Sequence, residues 1–181
     1  SPGTSFLYTD ITPLLATAMV AYGSQKTALE FADETLFRPM GFRNAEWMHQ
    51  DSAGLDNGSY GLRLRPVDMQ KFGNLFLTGG MHRGRRLLSE QWTRECKSPW
   101  IRSQAGLRNP NYGHYFWSNH YAPGWQSQEA NGWKGQRIAI FHEQQTVVTM
   151  TAVLEREEQA VFAKVVADYV AKGSKPLGQR L

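Results

Sequence analysis

Cysteine is almost absent from this chain. Cys96 stands alone, which excludes an internal disulfide and leaves no Cys/His spacing suited to a structural zinc. Long apolar runs are missing too: the longest, Pro13 to Tyr22, is interrupted by Thr17 and falls well short of the roughly 20 residues a membrane helix needs. There is no Gly-x-Gly-x-x-Gly and no alternation of strand and helix patterns, which argues against a dinucleotide-binding fold. No serine is followed three residues later by lysine. A Gly-x-Ser-x-Gly elbow is absent as well, since Gly58-Ser59-Tyr60-Gly61 lacks the spacing. The five histidines are scattered and form no i, i+4 pair of the kind that holds a metal on a helix. Strong charge is lacking: the net +4 is spread thinly, and His82-Arg83-Gly84-Arg85-Arg86 has no interleaved aromatics, so it reads as a solvated turn. No metal, organic cofactor, nucleic acid or membrane span is therefore expected.

What is present is a chain long enough for one domain or a large piece of one. Its 181 residues are 41% apolar with six tryptophans, sufficient for a sizeable core. It opens at Ser1-Pro2-Gly3-Thr4 with neither an initiator methionine nor a signal-like segment, and it reads as a piece cut from something longer.

The first half is helical. Asp10 or Thr12 can cap a helix with Pro13 in its first turn, Leu14, Leu15, Ala18, Met19 and Tyr22 forming its apolar face and Gly23 stopping it. A second helix fits Thr27 to Leu36. Residues 43–62 are polar and turn-rich. A third helix starts at Arg65-Pro66-Val67-Asp68 and closes at Thr78-Gly79-Gly80, and Ser89 caps a short fourth. Ser98 to Asn111 reads as loop.

The second half turns to strands. Tyr112 to Tyr121 is aromatic and β-prone, and strands near 126–131, 136–142 and 145–154 follow. A last amphipathic helix, Glu157 to Lys172, buries Val161, Phe162, Val165, Val166, Tyr169 and Val170, and residues 173–181 are a polar tail. Helices, a three- or four-strand antiparallel meander and a closing helix make an α+β domain with helices laid on a sheet. About 1–110 are mainly helix and loop, and 111–172 are the sheet and its helix.

One stretch, Ala130-Asn131-Gly132-Trp133-Lys134-Gly135-Gln136, runs into the alternating strand Arg137-Ile138-Ala139-Ile140-Phe141. Glycines at a strand start usually mark a bend or bulge. They also leave backbone N–H groups free, which is useful where a negative charge must be held.

Several motifs carry a resemblance in order along the chain. They are Pro2 to Asp10 with the helix after it, Leu36-Phe37-Arg38-Pro39-Met40-Gly41-Phe42, and Gly61 to Gly73 (which looks like a stretch of the form G-L-x-x-T-x-x-D-M-x-x-F-G). Gly79-Gly80 with Gly84, Tyr112 to Trp117, and Gly132-Trp133-Lys134-Gly135-Gln136 complete the set. The set resembles the serine β-lactamase-like hydrolases, a group of class C β-lactamases, esterases, D-aminopeptidases and 6-aminohexanoate-dimer hydrolases. The resemblance implies the β-lactamase/penicillin-binding-protein-like fold, of which this chain would be the C-terminal portion. It also implies acyl transfer from a small ester or amide to an activated serine.

That family uses Ser-x-x-Lys, a Tyr-x-Asn motif and a Lys-Thr-Gly-like strand. Tyr8-Thr9-Asp10 matches the second, which makes Tyr8 the proton shuttle and puts Asp10 at the asparagine position. Ala130-Asn131-Gly132 would stand at the third, with the Trp133 N–H as half of an oxyanion hole; a register with Trp133-Lys134-Gly135 there is the other option. Asn131, Gly132, Lys134 and Trp117 become candidate substrate contacts. Ser-x-x-Lys would belong to an upstream part of the same domain, so this chain alone would not form an acyl-enzyme. The alternative is a non-catalytic relative that binds a peptidoglycan-like or other small ligand. Residue type alone favours Tyr8 as a packed aromatic and Trp117 as core, and leaves Asp10 equally readable as a helix cap.

Overall fold

The computed structural model describes residues 4–48, 54–98, 101–102, 111–155 and 158–173. Helix α1 spans Ile11–Ser24 and α2 spans Ala28–Ala32, continued as a wide π-type turn over Asp33–Phe37. Thr27 and Glu30 cap α2 reciprocally, each side chain accepting from the other's backbone N–H. Helix α3, Pro66–Leu77, and helix α4, Glu90–Glu95, flank a small hairpin of β1 (Met81–His82) and β2 (Arg85–Arg86). The main sheet is an antiparallel meander in chain order: β3 (Ile101–Arg102), β4 (Asn111–Gly113), β5 (Phe116–Ala122), β6 (Trp125–Asn131), β7 (Arg137–Phe141) and β8 (Thr146–Met150). Helix α5, Glu158–Val165, continues as a π-type turn over Val166–Ala171.

The α+β class holds, but the sheet has six strands where three or four were expected. The two extra strands are two and three residues long, too short for an alternating pattern to register. Residues 103–110 of the expected loop lie outside the described residues, as do 1–3, Glu157 and the tail from 174.

Burial explains the layering. Ile138 and Ile140 pack with Phe76 and Cys96 on one face of β7, while Ala139 and Phe141 pack with Trp125, Phe162 and Val166 on the other. The sheet is thus sandwiched between α3 and α5. Helix α3 comes very close: a Cβ on Gly73 would stand 2.6 Å from Val147 Cγ1 and 3.0 Å from Ile138 Cγ2. Below α5, Glu129 is 0% exposed and pairs with Arg137 at 2.9 Å, and it also accepts from Asn119 Nδ2 and Ser127 Oγ.

Two amphipathic assignments need correction. In α1 the buried residue is Thr17, whose hydroxyl donates to Asp56 O at 3.0 Å, whereas Leu15, Met19 and Tyr22 are 59%, 74% and 84% exposed. The polar anchor to residues 56–58 decides which face turns inward, and the apolar stripe is left outside. In the last helix Phe162 and Val166 are buried, but Val161 and Tyr169 are exposed. Gly23 also does not end α1, which runs to Ser24 and closes on Gln25 in the left-handed conformation.

Helix α3 starts without the hydroxyl cap its motif would supply, because Arg65 stands at the threonine position. Asp68 compensates: fully buried, it accepts from Arg65 Nε (2.7 Å) and Nη2 (3.1 Å) and from Lys71 Nζ (2.8 Å), while Lys71 also reaches Gly41 O. Burial alone would raise its pKa, but the bonds from Arg65, then Lys71 and the Arg43 N–H, outweigh that and hold it at about 2. The folded value lies below the unfolded one, so the contribution is full above about pH 4 and is lost as the pH falls toward 2. Asp68→Asn should cost about 2–3 kcal/mol at neutral pH, and the wild type–variant difference should shrink between pH 4 and 2 in urea denaturation.

Candidate active site

Three distant segments build one groove of about 790 Å³. Tyr8 and Asp10 come from the approach to α1, Asn57 to Leu62 from the polar loop, and Asn131, Gly132, Trp133 and Gln136 from the β6–β7 turn, with Trp47 completing the wall. A smaller cavity of about 280 Å³ adjoins it, sharing Tyr8, Gly58, Ser59 and Asn131 and reaching Trp117 and Tyr112.

Tyr8 is fixed by aromatic packing. Its ring lies 5.2 Å from Trp117 and 5.7 Å, edge-on, from Tyr112, and Phe6 closes the cluster. Trp117 is buried beneath it, so it supports Tyr8 and lines the smaller cavity. Tyr8 remains half-exposed to the groove. Burial, and after it the Asp10 charge, raise the Tyr8 phenol above its ordinary value, so in this chain it is a proton donor, not a phenolate.

Asp10 occupies the N-cap position of α1 but makes no cap bond; Thr9 Oγ1 accepts the Ile11 N–H at 3.0 Å instead. Among the described residues no cation pairs with Asp10. Its carboxylate is exposed on the groove.

The β6–β7 connection is a tight turn. The Gly132 N–H donates to Gln136 O at 2.7 Å, and Trp133–Gly135 form one 3₁₀ turn. Trp133 begins that turn, so its N–H has no acceptor within it, and the residue is 81% exposed. Lys134 takes φ of +59°, an uncommon conformation for a side chain with a Cβ. Its ammonium turns to Glu155 at 2.9 Å and lies 4.7 Å over the Trp133 ring. It is not among the residues lining the groove. Asn131 has both polar atoms of its amide shut off from solvent and bonded to no described atom, although it borders three cavities.

The polar loop was the part sequence reasoning missed. Asn57 Oδ1 accepts from Ser59 N, Ser59 Oγ and Tyr60 N, a local fold of the Asx-turn kind. Leu29 N–H and Thr17 tie it through Asp56 to α2 and α1. Gly58 is pressed so close that a Cβ would sit 2.0 Å from Pro13 O. Asn57-Gly58-Ser59 was the available signal; it marks a turn but not which wall the turn builds.

Neither obvious nucleophile is activated. Ser59 Oγ donates to Asn57 Oδ1 at 2.7 Å, an amide oxygen that does not take up a proton. Cys96 is buried under the sheet, and burial with the nearby Glu95 pushes its thiol up to about 11. Among the described residues no cluster suited to a metal occurs.

No protein-family model and no curated protein sequence matches the chain. Solved structures do. A protein assigned as a 6-aminohexanoate-dimer hydrolase from Bacillus anthracis superposes with a TM-score of 0.82 at 20% identity, over 97% of this chain and 46% of that one. A protein assigned as a β-lactamase from Bacteroides dorei gives 0.75 at 16% identity, over 96% and 59%. A penicillin-binding protein from Bacillus halodurans gives 0.66 at 16%, over 92% and 57%. The chain therefore has the serine β-lactamase/penicillin-binding-protein-like fold and spans about half the length of these structures.

Asp10→Asn should lower the Tyr8 pKa without restoring the ordinary value, since burial, the larger cause, remains. Tyrosine ¹³Cζ shifts followed against pH, with Tyr8 assigned by Tyr8→Phe, would read this. An unchanged midpoint would show that Asp10 does not act on the phenol.

Proposed function

We propose that this chain is the C-terminal portion of a serine hydrolase of the β-lactamase-like group that cleaves a small ester or amide through an acyl-enzyme. The observation that carries the reading is the single groove shared by Tyr8, Asp10 and the Asn131–Trp133 turn. The serine and lysine come from a Ser-x-x-Lys segment upstream in the same domain. Tyr8, ionised beside that lysine's ammonium, takes the serine proton on its phenolate oxygen and returns it to the leaving group. A lysine ammonium there would offset the burial and the Asp10 charge that raise the phenol. The Trp133 N–H donates to the developing oxyanion, and Asn131 lines the substrate groove beside it. Gly132 lets the turn close on Gln136, where a Cβ would meet Gln136 Cβ at 2.9 Å.

Departures from the family pattern favour an esterase or amidase over a penicillin binder. Asp10 replaces the asparagine amide with a negative charge. Lys134, the cation nearest the turn, is committed to Glu155 and so is a poor partner for a penicillin carboxylate.

The alternative, a non-catalytic domain holding a peptidoglycan-like ligand, draws support from one fact: Ser59 and Cys96 are both unactivated in the described chain. One experiment separates the two. Mixing this chain with the upstream segment should yield p-nitrophenyl ester hydrolysis, lowered about 10²–10⁴-fold by Tyr8→Phe. The chain alone should neither hydrolyse the ester nor take a fluorophosphonate label. No gain on mixing would favour the binding domain, and labelling of the isolated chain would contradict the missing nucleophile.

A further inference from the structure

We propose that Tyr115 is a specificity-determining residue, a partition between the small cavity beside Tyr8 and an apolar cavity on its other side that limits the length of an apolar substrate tail. The inference rests on the groove around Tyr8 being a substrate site, as above, and adds what keeps its substrate small.

The backbone gives the first sign. Gly113 pairs with Phe116, so β4 and β5 are joined by a two-residue loop, and its residues His114 and Tyr115 take φ of +49° and +65°. A loop with two positive φ angles calls for Asn-Gly or Gly-Gly, because a Cβ there crowds the neighbouring carbonyl. Here both positions carry large rings. Local sequence therefore works against the turn, and contacts outside it must hold the rings where they are. His114 packs edge-on against Trp92 of α4, with ring centroids 5.1 Å apart. Tyr115 reaches the other way, toward α1, but its hydroxyl stands 3.4 Å from Thr12 O, too long a bond to account for the strain. Strained residues of this kind gather where a side chain is needed in one place.

That place lies between two cavities. One is the cavity of about 280 Å³ lined by Tyr8, Tyr112 and Trp117; the other, of about 330 Å³, is walled by Ala16, Val20, Ala28, Phe31 and Trp47. Among the described residues the two share only Pro13, Gly58 and Tyr115. Pro13 and Gly58 are in fixed backbone contact, a Cβ on Gly58 falling 2.0 Å from Pro13 O, so their part of the partition cannot give way. Tyr115 supplies the rest with a half-exposed ring. An apolar tail that outgrows the small cavity meets this ring before it reaches the apolar walls. With the ring removed, each further methylene would be buried against those walls, which is worth roughly fourfold in affinity.

N-alkylacetamides from ethyl to octyl, titrated into the chain itself and followed by backbone amide shifts, test this. In the wild type, affinity should rise with chain length and level off before octyl, with Ala28 and Phe31 unmoved. In Tyr115→Gly it should keep rising, roughly fourfold per methylene, and the long probes should shift Ala28 and Phe31. Tyr115→Phe keeps the ring and should level off as the wild type does. Tyr115→Gly should also melt within about 5 °C of the wild type, because glycine relieves the positive φ as the ring contacts are lost. An affinity that climbs through octyl in the wild type, levelling at the same length in Tyr115→Gly, loss of the limit in Tyr115→Phe, or no binding of any probe would overturn the proposal. So would a much larger fall in melting temperature, which would make the ring a structural prop. Failure of the hydrolase reading is separable: a length limit without ester hydrolysis after mixing sinks that reading alone, and hydrolysis without a length limit sinks this one alone.

Discussion

The β6–β7 wall of the groove depends on the buried Glu129–Arg137 pair. Arg137 Nη1 bonds Glu129 at 2.9 Å, Tyr121 OH at 2.9 Å and Gln159 Oε1 at 2.7 Å, and its guanidinium lies 4.7 Å over Phe162. Those contacts join β5, β6, β7 and α5 at the point where β7 begins. A buried ion pair is weak evidence for net stability, because its desolvation can equal its attraction. Its effect here is on register. A slip of one residue would turn Glu129 into the opposite, apolar layer of the sheet, so the pairing of Asn131 with Arg137 is held and the five residues between them must close as a tight turn.

That turn is one wall; the others are secured by different means. The polar loop is pinned by Asp56 and by the contact of Gly58 with Pro13, and Tyr8 by its aromatic cluster. The bonds that hold these walls do not involve the Asp10 carboxylate, the Asn131 amide or the Trp133 N–H. Among the described residues Asp10, the Asn131 amide and the Trp133 N–H are therefore left without partners, and leaving buried groups such as the Asn131 amide unpaired costs about 1–3 kcal/mol each. Unspent polar groups converging on one groove are what a ligand site requires.

Much of this was legible in the sequence. Thr27, Arg65-Pro66 and Ser89 announced their helices, because capping and first-turn chemistry is local. The alternation of Ile138 and Ile140 with Ala139 and Phe141 gave β7, and the ordered motifs gave the fold. Which face of α1 turns inward was not legible. Leu15, Met19 and Tyr22 obey helical periodicity, but the inward face is set by Thr17 and Gly58, residues whose role depends on what lies opposite. The groove-lining loop was hidden for the same reason, and the engagement of Lys134 by Glu155, 21 positions away, leaves no trace in local pattern.

The central claim is that the start of the β6–β7 turn serves an oxyanion. The most direct measurement is the ¹H–¹⁵N amide signal of Trp133 when the upstream serine-bearing segment and an arylboronate, which mimics the tetrahedral intermediate, are added together. A downfield shift of that amide proton, absent when either component is omitted, is the result the account predicts. An unmoved Trp133 signal in a complex that has bound the boronate would contradict it.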